Sequence, residues 1–320
     1  MDHEAIRDRI RQLGGVPPSP LVVTSNATDY TALDHGQVLR IADRTFLIRG
    51  CAYEGRFGIE ASPKFWVKWA LDLDSGQPKL LKFPFHEAFT MQIGALRVDC
   101  FRDPEKEGRV LRLVRGDSRF MQGRTLADGE GHPVHVLDIL AGPNLYDALR
   151  QDGRPHEGYF RDRLPGLLRR VRDALAAIAW LNGQGEHHGD IRNDHLIVDP
   201  ETGRLGWIDF DLSVAVPDID VHCAGNVLLF VVARGIVTFA DARHDFPALA
   251  DGGFESSDAA LFFPNRVANL RKLFPYIPQK LHELLMRYSI DAAEPFATMD
   301  EVVAALDEAL VDLPEPEVAG

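Results

Sequence analysis

The sequence predicts an α+β chain in two parts, a β-rich first part and a helix-rich second part joined near Ala141-Gly142-Pro143. Two observations predict this. From about Gly36 to Ile139 short apolar runs alternate with turn residues, as strands do, with one helical interval at 104–114. After Gly142 the apolar residues recur every three or four positions: Leu164, Leu168, Val171, Leu175, Ile178 and Leu181 share a face, with arginines on the other.

In chain order, Asp2 is placed to cap a helix over 3–13, with Ile6, Ile10 and Leu13 on one face and Gly14-Gly15 ending it. Residues 16–31, rich in Pro, Ser, Thr and Asn, read as a connecting arm that packs on another element. Strands follow at Gln37–Ile41, Thr45–Ile48, Phe65–Leu73 and Lys79–Phe83, with a turn at Asp74-Ser75-Gly76. Beyond the 104–114 helix lie strands at Arg119–Leu126 and Val134–Ile139, separated by a turn at Asp128-Gly129-Glu130-Gly131. The second part opens with the helix over 161–182. Short β segments at Leu196–Val198 and Gly206–Ile208 follow, then apolar helices over 220–235, 279–289 and 299–311. The division expected is an arm at 1–36, a first lobe at 37–140, a second lobe at 141–312 and a frayed Pro/Glu-rich tail at 313–320.

Composition narrows the function. The chain has 320 residues, 48 acidic and 35 basic, for a net charge of −13. Nucleic acids and anionic membranes are bound through basic fields, so neither is an expected partner. No apolar run is long enough to span a bilayer, and Met1-Asp2-His3-Glu4 has no secretory character. Cys51, Cys100 and Cys223 form neither a disulfide framework nor a zinc pattern, so a cytoplasmic location is expected.

The chemistry concentrates in His188-Gly189-Asp190-Ile191-Arg192-Asn193-Asp194-His195 and Trp207-Ile208-Asp209-Phe210-Asp211. Asp190 and Asp209 fall on separate loops at the ends of short apolar strands, 19 residues apart. A hairpin between them brings both to one edge. Phosphoryl transfer uses such a pair, one carboxylate orienting the acceptor hydroxyl and another holding a divalent metal on the phosphates.

On these residues the sequence resembles the protein-kinase-like superfamily over roughly residues 37–312. The His-Gly-Asp form is similar to aminoglycoside and choline kinase-like enzymes, and the surrounding chain is more similar to bacterial Ser/Thr-kinase-like proteins. The resemblance implies a bilobal fold, with a small β-rich N-lobe and a larger helical C-lobe, and use of ATP with Mg²⁺ or Mn²⁺. It implies that Gly55 and Gly58, in Tyr53-Glu54-Gly55-Arg56-Phe57-Gly58, approach phosphates through their backbone. Lys82 becomes the phosphate-pairing strand lysine, with Lys79 as rival. Glu107 becomes its helix partner, with Glu105 as fallback. Asp138 and Leu140 fall in the connection that contacts the adenine. Asp190 is implied as the catalytic aspartate, Arg192 as a contact to the transferring phosphoryl, and Asp209 as a metal ligand. The resemblance also implies that His188 and Phe210 are core residues stacking with Leu111 and Met121, and that Asp220 binds backbone N–H groups of the catalytic loop.

Three departures bear on function. His195 stands where the family places a metal-binding asparagine, and imidazole is a poor magnesium ligand; one metal suffices, Asn193 or Asp194 substitutes, or manganese is used. Asp211 replaces a glycine and offers an extra carboxylate, so Asp209, His195 and Asp211 form the candidate metal set. Only 11 residues separate Asp209 from Asp220, too few for an activation loop and peptide-docking segment. Gly189 and Glu294-Pro295 stand where the arginines of that device belong. The favoured function is transfer of the γ-phosphate of ATP to a hydroxyl of a small molecule or protein. The alternatives are a pseudokinase serving as nucleotide-binding scaffold or sensor, and AMP transfer on the same fold. Residues 240–275, where acceptor contacts are expected, match no motif.

Overall fold

In a computed structural model of the chain, residues 1–54, 62–93, 96–216, 218–249 and 252–314 are described. Gly55, Gly58 and tail residues 315–320 lie outside them. The chain divides into two compact units, one of Met1–Glu87 with Arg102–Leu140, the other of Ala88–Phe101 with Ala141–Gly320.

The first unit begins with helix α1 (His3–Gln12), whose N-terminus is capped by Asp2 Oδ1 accepting from the Ala5 N–H at 2.8 Å. Ile6 and Ile10 are fully buried on Leu21, Val38, Leu47 and Leu73, so the arm packs on the sheet. That sheet has seven strands in the order β1-β2-β3-β4-β5-β9-β8. They are β1 (Val23–Thr24), β2 (Val38–Ile41), β3 (Arg44–Glu54), β4 (Ser62–Asp72), β5 (Pro78–Lys82), β8 (Gly123–Ala127) and β9 (Pro133–Leu137). All neighbours are antiparallel except β1 with β2. Its second face carries a core of Leu39, Ile41, Phe46, Ile48, Ala70, Leu81, Phe83, Val134 and Val136. Asp128 fastens the arm to the β8–β9 turn by accepting from the N–H groups of Ala27, Glu130 and His132. Helix α2 (Lys106–Leu113) lies on β8 through Gly108: a Cβ there would stand 2.8 Å from Thr125 Oγ1.

The sequence reading places a strand over Arg119–Leu126, but pairing starts only at Gly123. Gln122 explains the shift, because its side-chain amide donates to the carbonyls of Val114, Asp117 and Phe120 and closes the preceding residues into a turn.

The second unit holds β6 (Glu87–Ile93) and β7 (Leu96–Arg102), which form a three-stranded sheet with the later β12 (Leu212–Val214) in the order β12-β7-β6. The sequence reading gives no strand to 87–102. Val98, Cys100 and Leu212 bury against Phe89, Met91, Val214 and Val216. The unit also contains α3 (Leu145–Arg150), α4 (His156–Asp162), α5 (Leu164–Gly183), the hairpin β10 (Leu196–Val198) with β11 (Leu205–Trp207), α6 (Ile219–Ala233), α7 (Phe239–Asp245), α8 (Gln279–Met286) and α9 (Met299–Leu310). The helix read at 161–182 is two: α4 ends at Asp162, and α5 restarts with Pro165 in its first turn, where proline's missing N–H costs nothing. Leu313, read as part of a frayed tail, is 5% exposed. Among the described residues no helix is long and apolar enough to cross a membrane.

Candidate active site

In the first unit, Lys82 ends β5 and Glu107 sits in the first turn of α2. Lys82 Nζ lies 2.9 Å from Glu107 Oε2, with the two residues 5% and 0% exposed. The two sequence alternatives take other places. Lys79 pairs with Asp138, and Glu105 is the N-cap residue of α2. The two lysines are three residues apart on a strand, so they fall on opposite faces. Register settles which face meets α2: Lys82 pairs with His135 and Val67, Lys79 with Ala70. Asp138 has its N–H donated to the Gln122 carbonyl at 2.8 Å. That backbone donor is therefore already used; Leu140, half-buried, closes the unit. Leu111 and Met121 are both buried.

In the second unit the loop from His188 to His195 is held from below by α6. Asp220, 1% exposed, accepts from the His188 N–H and the Gly189 N–H at 2.8 Å each and from the Asn182 side-chain amide at 2.9 Å. Gly189 takes φ +84°, a left-handed conformation that a side chain would strain. This is the backbone-binding role that the resemblance implies for Asp220. His188 is fully buried, edge-on to Trp207 and Phe210 with ring centroids 5.1 and 5.2 Å away. Its Nδ1 accepts from the Asp190 N–H at 3.2 Å. Trp207 in turn donates to the Ala174 carbonyl of α5 at 2.8 Å. Before the loop, Gly142 lets the chain pass β10: a Cβ there would stand 2.0 Å from the Val198 carbonyl oxygen.

The acidic groups gather around His195. Its Nδ1 donates to the Asp190 carbonyl at 2.9 Å and lies 3.6 Å from Asp190 Oδ2; its Nε2 lies 3.8 Å from Asp209 Oδ2. One imidazole thus stands between the two carboxylates. Arg192 grips Asp194 through two hydrogen bonds, at 2.9 and 2.6 Å, with Nη1 3.7 Å from Asp190 Oδ2. Burial pushes the Asp194 carboxyl up, but the bound Arg192 guanidinium outweighs it and holds the group below the usual carboxylate range. Asp209 has φ +69°, a backbone conformation sparsely populated by residues other than glycine and found where function over-determines the local structure.

Asp209, His195 and Asp211 do not form a ready metal cage. Among the described residues, no group of three or more His, Cys, Asp or Glu side chains is arranged to hold a metal. What the site offers is the partly exposed Asp209 carboxylate. A hard cation whose shell is completed by phosphate and water fits such a donor; a metal held by protein alone does not.

The segment after Asp211 is held by strand pairing. Its strand β12 joins β7, and the Ala215 N–H donates to the Asp99 carbonyl at 2.9 Å. Cys100 of β7 has its thiol pushed up by burial, by the Asp190 charge and by Asp99. The signal was present in Phe89-Thr90-Met91 and Val98-Asp99-Cys100, where apolar and polar residues alternate on either side of Gly94.

The chain matches no family model. Among curated proteins it is similar to two CBL-interacting protein kinases of Oryza sativa subsp. japonica. It is 33% identical to number 27 over 131 residues, 40% of this chain and 27% of that protein. It is 26% identical to number 29 over 166 residues, 43% of this chain and 35% of that protein. The chain therefore spans only about a quarter to a third of the length of these relatives. These partial matches support a protein-kinase-like relationship.

Proposed function

We propose that the chain is an ATP-dependent phosphotransferase that moves the γ-phosphate to a hydroxyl acceptor and works without an activation-loop switch. The observation that carries this reading is the placement of Asp190 and Asp209, distant in sequence, on the two nitrogens of His195. The buried Lys82–Glu107 pair supports it, since a lysine held rigid by a fully buried carboxylate is a costly device with no evident structural purpose.

In this reading Lys82 Nζ holds the nucleotide phosphates, and Asp209 is the carboxylate toward which a divalent cation is drawn. When bound, that cation neutralises charge on the transferring phosphoryl group. Asp190 Oδ2 orients the acceptor hydroxyl and takes up its proton. Arg192, fixed by Asp194, lies close enough to Asp190 to set the position of that carboxylate. Catalysis comes from positioning and charge. The pairing of β12 with β7 supports the absence of a switch: the short segment after Asp211 is held by strand hydrogen bonds, where an activation loop would be ordered by phosphorylation. The His188-Gly189-Asp190 form favours a small-molecule acceptor.

A second reading, a nucleotide-binding scaffold or sensor, draws on His195, which fills the asparagine position with a poor magnesium ligand. Metal-dependent consumption of labelled ATP by the purified protein separates the two. Turnover that Asp190→Ala abolishes supports the phosphotransferase. Equal inertness of wild type and Asp190→Ala, with both binding nucleotide, leaves the scaffold. Release of pyrophosphate in place of ADP identifies AMP transfer. Thermal unfolding with ATP plus magnesium or manganese tests Asp209: the stabilisation expected of wild type is lost in Asp209→Asn.

A further inference from the structure

One pair of side chains outside the site described above has the makings of a reactive centre. β3 and β4 place Cys51 directly opposite Lys68, and Lys68 Nζ donates to Cys51 Sγ at 3.1 Å. Lys68 is 1% exposed, among the most deeply buried large side chains of the molecule, while Cys51 is only half-buried and within reach of solvent. The ammonium also lies 6.0 Å from the centroid of the Phe65 ring. Among the described residues, its polar partner is the thiol and no carboxylate stands at ion-pair distance.

The pair is separate from the Lys82–Glu107 site. Lys82 lies opposite Val67, and successive strand residues point to opposite faces, so Lys68 is on the other side of the sheet. An ammonium taken out of water is costly unless it meets a counter-charge. Here the group positioned to carry that charge is sulfur, and the charged form of a thiol is its nucleophilic form.

We propose that Cys51 is a peroxide-sensitive modification site in which Lys68 is the positioning residue that stabilises negative charge on Sγ as it attacks. The sulfur attacks one oxygen of hydrogen peroxide. The S–O bond forms as the O–O bond breaks, and the departing hydroxide takes up the thiol proton and leaves as water. Sulfur is oxidised to sulfenic acid and peroxide is reduced. The product sits on the strand pair that leads into and out of residues 55–61.

The test uses the full chain treated with hydrogen peroxide in the presence of glutathione as an internal standard. Sulfenic acid at Cys51, Cys100 and Cys223 is trapped with dimedone and read by mass spectrometry. Cys51 is expected to oxidise on the order of tenfold faster than glutathione at neutral pH, with Cys100 and Cys223 silent. Lys68→Met is expected to bring Cys51 down to the glutathione rate. A second readout separates charge from packing. The rate of alkylation by anionic iodoacetate relative to neutral iodoacetamide falls several-fold in Lys68→Met, because the ammonium attracts only the anion. Oxidation of wild-type Cys51 no faster than glutathione overturns the proposal without need of any variant. So does a folded Lys68→Met whose oxidation rate and reagent preference match wild type.

Discussion

The two units hold their chemistry-bearing side chains in opposite ways. In the first, an ion pair is buried: Lys82 and Glu107 face each other at 2.9 Å, both removed from water. In the second, partly exposed carboxylates are held through their neighbours: Asp220 grips the loop backbone, His195 stands between Asp190 and Asp209, and Arg192 is tied to Asp194. The contrast follows from the protein environment. A buried charge is kept in place by its counter-charge, because leaving it alone is prohibitive. A carboxylate that must meet solvent and ligand cannot be buried, so its position is set by rigid backbone beneath it.

The comparison can be broken most forcefully at Asp190. Asp190→Ala is expected to lower phosphotransfer by roughly 10²–10⁴-fold, with an unchanged thermal midpoint, in an assay of labelled phosphate transfer. The first unit should respond in stability. Glu107→Leu removes the buried carboxylate at 2.9 Å from Lys82 Nζ and is expected to cost about 3–5 kcal/mol by urea unfolding, much of it regained when Lys82→Met is added. If the double variant is no more stable than the single one, the pair does not hold that region. Asp220→Asn keeps the shape of the side chain and one acceptor oxygen, so a smaller loss of roughly 1–3 kcal/mol is expected, accompanied by lost activity. Full activity in that variant means the loop keeps its shape without the buried carboxylate.

A pH-dependent effect is expected in the helical region away from both sites. His156 bridges the Tyr276 hydroxyl and the Val232 carbonyl and stacks on Phe274. Burial is the main cause that lowers its pKa to about 4; the Val232 carbonyl opposes this and Arg234 adds to it. The unfolded chain takes up the proton near its ordinary value of 6.5, before the folded chain does. Stability from this group is therefore complete above about pH 6.5 and lost as pH falls toward 4. Thermal midpoints measured across that window should fall more steeply for wild type than for His156→Gln.

Much of the layout was legible along the chain. The strands from Val38 to Lys82, the cap at Asp2, the long helix α5 and the core placement of His188 and Phe210 follow from period, turn chemistry and the company these residues keep. Lys79 against Lys82, and Glu105 against Glu107, stayed open in sequence for a physical reason. Each pair offers the same charge on neighbouring turns or strand positions, and only the register of β5 with β9 and the seat of α2 on Gly108 choose between them. The β6–β7 hairpin is hard to see in sequence because its alternation is short and its partner β12 lies more than a hundred residues downstream. His195 read as a missing asparagine, and nothing local indicated that its ring would stand between two carboxylates.

By itself, then, the sequence determined what local forces decide: the α+β order, the cap at Asp2, the turns at Asp74-Ser75-Gly76 and Asp128–Gly131, and the loop motifs that carry Asp190 and Asp209. The tertiary structure decided which charges meet, which strand pins the segment after Asp211, and that a lysine inside the sheet finds a thiol. Those outcomes depend on register and on contacts between distant residues, where the free energy lies in burial and pairing that no short stretch of chain contains.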